Sequence, residues 1–354
     1  MKKILAMLLA AALVLALAAC ASSTPAADTA STTTEQPADT AAAADDTAAP
    51  AEDTAETAAD ESGKTYTVGV CQLVQHEALD AATQGFVDAL KEELGDAVTV
   101  DVQNASGDSV NCGTIVNGFV SKGVDLIMAN ATPALTAAVS ATADIPILGT
   151  SITAYGVALD IDNFSGTVGG NISGTSDLAD LGKQADMISE WFPEAKKVAL
   201  LFCSGEPNSR YQIEEVAKCL SDKGIETKEF AFTDTNDVAS VTQSAADYSD
   251  VVYVPTDNTA ASNTEAIANV LVPAGVPAIC GEEGICKGCG VATLSISYYD
   301  LGVTTGKMAA KILTGEADIS EMPIEFTEAT PKYNASMCET LGIEPLEGYT
   351  AIEE

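Results

Sequence analysis

From Lys64 onward, apolar runs of strand length alternate with stretches of helical period. Tyr66 to Val74 is largely apolar, and Leu79, Ala82, Phe86, Val87, Leu90 and Leu94 follow at helical spacing. The first pattern predicts a strand, the second a helix with one apolar stripe. Val98 to Val102 then reads as a strand, Val110, Ile115, Phe119 and Val120 as the stripe of a helix, and Val124 to Met128 as a strand. Pro133 opens a helix at a position that tolerates proline, and Ile145 to Leu148 is a fourth strand. Gly166 to Asp177, rich in Gly, Ser, Thr and Asn, reads as a crossing, after which the pattern restarts. A helix runs through Leu181, Ala185, Ile188 and Trp191; further helices are marked by Ile213, Val216 and Leu220, and by Ile267 and Leu271. Strands are expected at Lys197 to Phe202, Ile225 to Phe232, Val251 to Val254, Pro277 to Cys280 and Val291 to Leu294. The last stretch predicts a helix from Tyr298 to Leu313, a strand from Ile324 to Glu328 and a helix from Ala335 to Leu341. Strands alternating with helices imply parallel sheets covered on both faces. The fold class is α/β, with two doubly wound, Rossmann-like lobes in tandem, and no short-period repeat suggests a solenoid.

The N-terminus is a different polymer. Met1, Lys2 and Lys3 precede an uncharged apolar run from Ile4 to Ala19. A spanning helix needs roughly 20 apolar residues, so residues 1–19 read as a secretory signal. Leu17-Ala18-Ala19-Cys20 resembles the bacterial lipobox, which makes Cys20 the expected lipidation site and the new N-terminus. Two or more acyl chains make a stable anchor where one is marginal. Residues 21 to 64 contain no aromatic residue and no Ile, Leu, Val or Met. Such a segment cannot bury enough apolar surface to offset chain entropy, and residues 20–64 are expected to form a disordered acidic tether. As a neutral coil it would span roughly 35–40 Å, and its like charges extend it further.

Charge narrows the partners. Against 52 Asp and Glu stand 16 Lys and Arg, a net charge of −36. That argues against nucleic acid, which needs basic patches, and against peripheral binding to anionic lipid. Contact with the membrane is therefore expected through the lipid anchor only. Eight cysteines remain after Cys20, several inside apolar strands or helices where small hydrophobes belong. Cys286-Lys287-Gly288-Cys289 lacks the second ligand pair that zinc requires, so packed thiols or a local disulfide are expected and no metal or cofactor.

In open α/β sheets ligands bind beyond the carboxyl ends of strands, so the loops there hold the candidates. Lobe 1 offers Gln72, His76 and Glu77, then Thr132, then Thr150 and Ser151; Asp177 stands at the crossing. Lobe 2 offers Ser204, Glu206 and Asn208, then Thr256 and Asp257, then Glu282 and Glu283. Helices start at several of these loops, and their backbone N–H groups can receive a carboxylate. Asp257, Glu206 or Glu283 can receive an ammonium. Together these describe an amino-acid site. Plainer roles stand beside these. Thr132, Ser209, Asp177 and Asp257 can cap helices, Glu282 and Glu283 can be solvated, and Trp191 can be packing. His76, the only histidine, is expected to line the pocket or hydrogen-bond, and Arg210, the only arginine, to pair with an acid such as Glu214 on its own helix.

Several segments resemble one family of ABC-transporter substrate-binding lipoproteins of the tryptophan or aromatic amino-acid type: Val68 to Asp80, Asn171 to Asp177, Ser204 to Ser209, Thr256-Asp257-Asn258 and Tyr298 to Gly302. The resemblance spans residues 66 to about 345. It implies the type I periplasmic-binding-protein fold with a multi-strand hinge. Residues 65–174 plus about 297–323 would form lobe 1, and 175–296 plus about 324–354 lobe 2. It implies an aromatic amino acid held between the lobes, with Thr132, Asp257 and Glu283 as polar contacts. It also implies permease and ATPase partners, a monomer, and a place on the extracellular face of the cytoplasmic membrane. Ser151-Ile152-Thr153-Ala154-Tyr155 departs from the shorter Asp-Pro turn of many members, and Tyr155 can stack on a ring or start an extra strand. A nucleoside or sugar ligand, or a sensor role toward a separate membrane partner, remain the alternatives. No GxSxG elbow, HExxH motif or phosphate loop suggests an enzyme.

Overall fold

A computed structural model describes residues 63–353. The signal sequence, Cys20 and the tether lie outside the described residues. The first lobe begins β1 (Tyr66–Gln72), α1 (Glu77–Leu94), β2 (Val98–Asn104), α2 (Ser109–Lys122), β3 (Leu126–Asn130), α3 (Thr132–Ala141), β4 (Ile147–Ile152), α4 (Tyr155–Ala158) and β5 (Ile172–Ser176). The chain then crosses to α5 (Leu181–Trp191), β6 (Lys197–Cys203), α6 (Pro207–Asp222), β7 (Glu226–Phe232), α7 (Val238–Tyr248), β8 (Val251–Val254), α8 (Asn258–Ala261), α9 (Thr264–Ala274), β9 (Ala278–Cys280), α10 (Glu283–Cys289) and β10 (Ala292–Ser295). It returns through α11 (Tyr298–Thr314) and β11 (Glu325–Phe326), and crosses again to β12 (Thr330–Tyr333), α12 (Ala335–Leu341) and β13 (Thr350–Ala351).

One sheet runs β11-β5-β4-β3-β1-β2, the other β13-β12-β10-β9-β8-β6-β7. Both contain the same parallel order, β2-β1-β3-β4-β5 and β7-β6-β8-β9-β10; β12 alone pairs antiparallel, with β10. Burial follows position. β3, β4 and β8 are buried at every residue because helices cover both faces, and their sequences are continuous apolar or small runs. The edge strands β2 and β7 are more open: β2 mixes exposed with half-buried positions, and β7 buries only Phe230 and Phe232.

Helices α1 and α11 hold lobe 1 together although more than 200 residues separate them. Leu79, Phe86 and Leu90 of α1 are almost completely buried, each contributing about 1.5–3 kcal/mol. The two helices touch backbone to backbone. A Cβ on Gly302 would lie 2.0 Å from the Ala82 carbonyl oxygen, and one on Gly85 2.1 Å from that of Tyr299.

Several expectations are corrected. Gly166 to Asp177 is not all crossing: Ile172–Ser176 is β5, a buried strand whose hydroxyls bond to its neighbours. The strand expected from Ile324 to open the last return to lobe 2 is the two-residue β11, which pairs with β5 and ends lobe 1. Its backbone completes the open edge of that sheet, so the crossing comes after Phe326. Tyr155 does not start a strand. It opens α4 with its ring buried, and its hydroxyl donates to the carbonyls of Gly149 and Thr175. Arg210 pairs with Glu229 on β7 at 2.5 Å, not with Glu214, because its side chain lies over the Phe202 ring. Trp191, by contrast, packs as expected, edge-on against Tyr349. Cys286 and Cys289 are free, buried thiols, and burial pushes Cys286 up.

Candidate ligand-binding site

In each sheet the strand order reverses between the first and third strand, β1/β3 and β6/β8. Loops on either side of such a point splay apart and leave a crevice. The two crevices face each other. Between them lies a narrow chamber of about 10 Å³, room for one water-sized group. His76, Leu79, Ser151 and Thr153 line it from lobe 1, and Asn208, Thr256, Asp257 and Glu282 from lobe 2. Asp177 and Tyr298 enter from the crossings. On the side away from the crossings a cavity of about 300 Å³ is lined by Leu73, Val74, Pro133, Cys203 and Glu206. On the crossing side a cavity of about 600 Å³ is lined by Tyr155, Phe164, Leu178, Tyr211, Ile324 and Phe326.

Four carboxylates are buried here, and no lysine or arginine lines the chamber. Asp257 caps α8: Oδ1 accepts from the Ala260 N–H at 2.8 Å and Oδ2 from the Cys203 N–H at 2.7 Å. Burial, with the nearby charge of Glu206, pushes its carboxyl up to about 8. Glu282 caps α10, accepting from the N–H groups of Ile285 at 2.5 Å and Gly284 at 2.8 Å; burial pushes it up to about 7. Glu206 accepts from the N–H groups of Asn258 and Thr259, from the Thr259 hydroxyl and from the side-chain amide of Asn258. Asp177 differs. Oδ2 accepts from the Tyr298 hydroxyl at 3.0 Å, while Oδ1 has no partner. Burial pushes it up to about 6, opposed by the hydroxyls of Thr153 and Tyr298.

Two backbone positions at the carboxyl ends of lobe 1 strands are unusual, and one of them, Ser151, lines the chamber. Ala131, after β3, has φ 88°, and Ser151, near the end of β4, has φ 55°. Non-glycine residues in this region cost on the order of 1–3 kcal/mol and are held only where the surroundings fix them. Across the cleft, His76 Nε2 lies 3.3 Å from Asn258 Oδ1, and Lys287 pairs with Glu77 at 3.2 Å. Burial lowers the His76 ring below its ordinary value despite the Asn258 contact and the charges of Glu206 and Asp80.

The sequence candidates divide by where the fold puts them. His76, Ser151, Asp177, Asn208, Thr256 and Asp257 converge on the chamber, and Glu206 lines the cavity beside it. The others serve the framework or the surface. Gln72 is satisfied by Val74, Asp80 and Thr83. Thr150 bonds with Thr175 and Thr305, tying β4 and β5 to α11. Thr132 is buried at the start of α3 outside the lining. Glu77 is exposed in its ion pair, Ser204 is exposed with its hydroxyl donating to Phe232, and Glu283 pairs with Lys332 at 2.5 Å. Glu282, Tyr298 and Thr153 complete the lining without having been among the preferred candidates. Tyr298 follows the carboxyl end of β10, the signal used for the other loops, and Glu282 differs from Glu283 only in direction.

Two mainly parallel, doubly wound lobes enclosing a polar chamber define a type I periplasmic-binding protein. Residues 67–347 match the model of the ABC transporter substrate binding protein family, and the chain belongs to that family. It is thus the substrate-binding component of an ABC transporter, a binder of a small solute and not an enzyme. A tyrosine-binding protein of Clostridioides difficile is 32% identical over 276 residues, 76% of this chain and 79% of the relative. Among solved structures, an ABC domain from Streptococcus pneumonia in complex with L-Trp is 30% identical and superimposes with a TM-score of 0.77, over 82% of this chain and 100% of that one. The ligand-free, open structure of a substrate binding protein with adhesive properties from Clostridium difficile is 33% identical, over 82% and 99% of the two chains, with a TM-score of 0.63. At similar identity the chain superimposes better on the ligand-bound neighbour than on the open one, in keeping with its narrow chamber. No helix among the described residues is long and apolar enough to cross a membrane.

Proposed function

We propose that this chain captures an aromatic amino acid, tyrosine or tryptophan, between its lobes and delivers it to the permease and ATPase of an importer. It works at the extracellular face of the cytoplasmic membrane as a monomer, held there by acyl chains on Cys20. The observation that carries the ligand reading is the narrow interlobe chamber, lined by acids and hydroxyls and flanked by an apolar cavity rich in aromatic residues. Polar groups in the chamber suit the amino-acid head, and the apolar cavities beside it suit a ring. The tyrosine-binding relative and the L-Trp-bound neighbour support the same class. Closure then follows from contacts that the ligand makes to both lobes at once.

The test is thermal unfolding of the purified, ligand-stripped chain with amino acids, nucleosides and sugars. A ligand at 100 times its Kd adds about 2.7 kcal/mol of stability. Shifts with tyrosine or tryptophan, and none with nucleosides or sugars, are the expected result. A shift with a nucleoside or sugar alone overturns the ligand and leaves the fold. Release of the chain from membranes on Cys20→Ala tests the anchor.

A further inference from the structure

Three buried acceptors in the chamber have no partner: Ser151 Oγ, Asp177 Oδ1 and Asn208 Oδ1. Their residues are 6%, 5% and 4% exposed, so water does not satisfy them from outside. The orientation of the Asn208 amide is fixed by its surroundings. Its nitrogen lies within reach of the Glu206 carboxylate and the Thr256 carbonyl, which only accept, and its oxygen is left without a partner. Asp177 is set apart from the other three acids in the same way. Those acids have both oxygens engaged, chiefly by N–H groups at helix starts, whereas Asp177 keeps one oxygen bare. The Thr153 hydroxyl is close enough to lower the Asp177 carboxyl but completes no hydrogen bond to Oδ1. An unpaired buried acceptor is costly, and more so when charged, so three in one chamber point to a missing donor.

The missing group is small, because the chamber holds one water-sized body. It is rich in donors, because two of the three atoms only accept. It is positive, because the lining carries acids and no lysine or arginine. We infer that Ser151, Asp177 and Asn208 form the seat of the ligand's primary ammonium, one N–H to each. This rests on the amino-acid reading above and refines it. The acids favoured from sequence for this role, Asp257, Glu206 and Glu283, are spent on helix caps or on Lys332. The seat also takes one group from each part of the hinged body: Ser151 from lobe 1, Asn208 from lobe 2 and Asp177 from the crossing between β5 and α5. The ammonium therefore bridges the lobes, and the amine is what the closed state requires.

Isothermal titration of the purified full chain decides it. The ligands are L-tryptophan and L-tyrosine, N-acetyl-L-tryptophan, 3-indolepropionate (no amine), tryptamine (no carboxylate) and a panel of other primary amines and amino acids. The variants are Asp177→Asn, and Ser151→Gly, which removes the hydroxyl at a backbone angle that glycine accepts readily. Thermal unfolding checks that each remains folded. Loss of the amine, by acetylation or deletion, is expected to weaken binding about 100-fold or more, and Asp177→Asn to do the same for the intact amino acid. Ser151→Gly should weaken it about tenfold. If 3-indolepropionate binds as tightly as tryptophan, the ammonium seat is overturned and the aromatic reading stands. If no aromatic amino acid binds, but another primary amine does and loses affinity on Asp177→Asn, the aromatic reading falls and the seat stands. A chain that binds no amine of the panel overturns both.

Discussion

The two lobes share one strand order and build their halves of the site from different materials. Every non-glycine residue with positive φ among the described residues lies in lobe 1: Ser106, Ala131, Ser151, Asp160 and Asn163. Three of the four buried cleft acids, Glu206, Asp257 and Glu282, lie in lobe 2. Lobe 1 lines the cleft with tightly turned backbone and mostly neutral side chains. Lobe 2 lines it with carboxylates locked onto helix starts. One half fixes shape and the other fixes potential, and Asp177, at the crossing, belongs to neither.

The largest effect should come from the backbone of lobe 1. A Cβ on Gly174 (φ 142°) would lie 2.0 Å from the Gly149 carbonyl oxygen and 2.5 Å from the Tyr155 hydroxyl. Gly174→Ala is expected to cost about 4 kcal/mol or more, read as a fall in the urea midpoint or loss of soluble protein. In lobe 2 the matching change is Asp257→Ala, which strips the Cys203 and Ala260 N–H groups of their acceptor and should cost about 3 kcal/mol. If the second loss equals or exceeds the first, shape and charge are not divided as described.

A pH scan without ligand sharpens the contrast. Asp177, Glu282 and Asp257 titrate near 6, 7 and 8 when folded, above their ordinary values of 3.8, 4.5 and 3.8. The folded chain therefore holds protons that the unfolded chain has already lost. Their stabilisation is complete below about pH 4 and is lost as pH rises through 6 to 8, at about 1.4 kcal/mol per pH unit for each proton difference. The ligand-free melting temperature should fall between pH 5 and 8, and Glu282→Gln should flatten the fall. With a ligand ammonium beside Asp177 the dependence reverses at that residue: binding should release a proton and weaken below about pH 6, measurable by titration in buffers of different ionisation heat. The smallest effect belongs to the surface. Lys287→Ala removes the exposed pair with Glu77 across the cleft and should change stability by no more than about 1 kcal/mol.

The sequence carried the covered strands plainly, because a strand buried on both faces needs an apolar run, as in Val251–Val254. It hid β5, whose Ile172-Ser173-Gly174-Thr175-Ser176 has one apolar residue. That strand is held instead by hydroxyls, with Thr175 bonding to Thr150 and Thr305, and by Tyr155 packed against its glycine. α10 escaped because it is seven residues long and its buried face is cysteine and isoleucine. At the site, the rule of polar residues beyond strand ends located the right loops. It could not give direction. Gln72 and Thr150 are as polar as Asn208 and Ser151, yet their groups are consumed inside lobe 1. The special place of Asp177 depends on what its neighbours leave unbonded, which only the folded arrangement decides.

The three crossings between the lobes also govern the order in which the molecule is made. Lobe 1 is missing α11 and β11 until the chain has been synthesised to Phe326, and lobe 2 lacks β12 and β13 until its last residues. A chain emerging from its N-terminus can collapse early around β1 to β5, but the groove on α1 where α11 belongs stays open for more than 200 residues of further growth. Both lobes therefore finish together and late. Truncation anywhere before α11 should leave an apolar surface exposed on each half rather than one intact lobe and one missing.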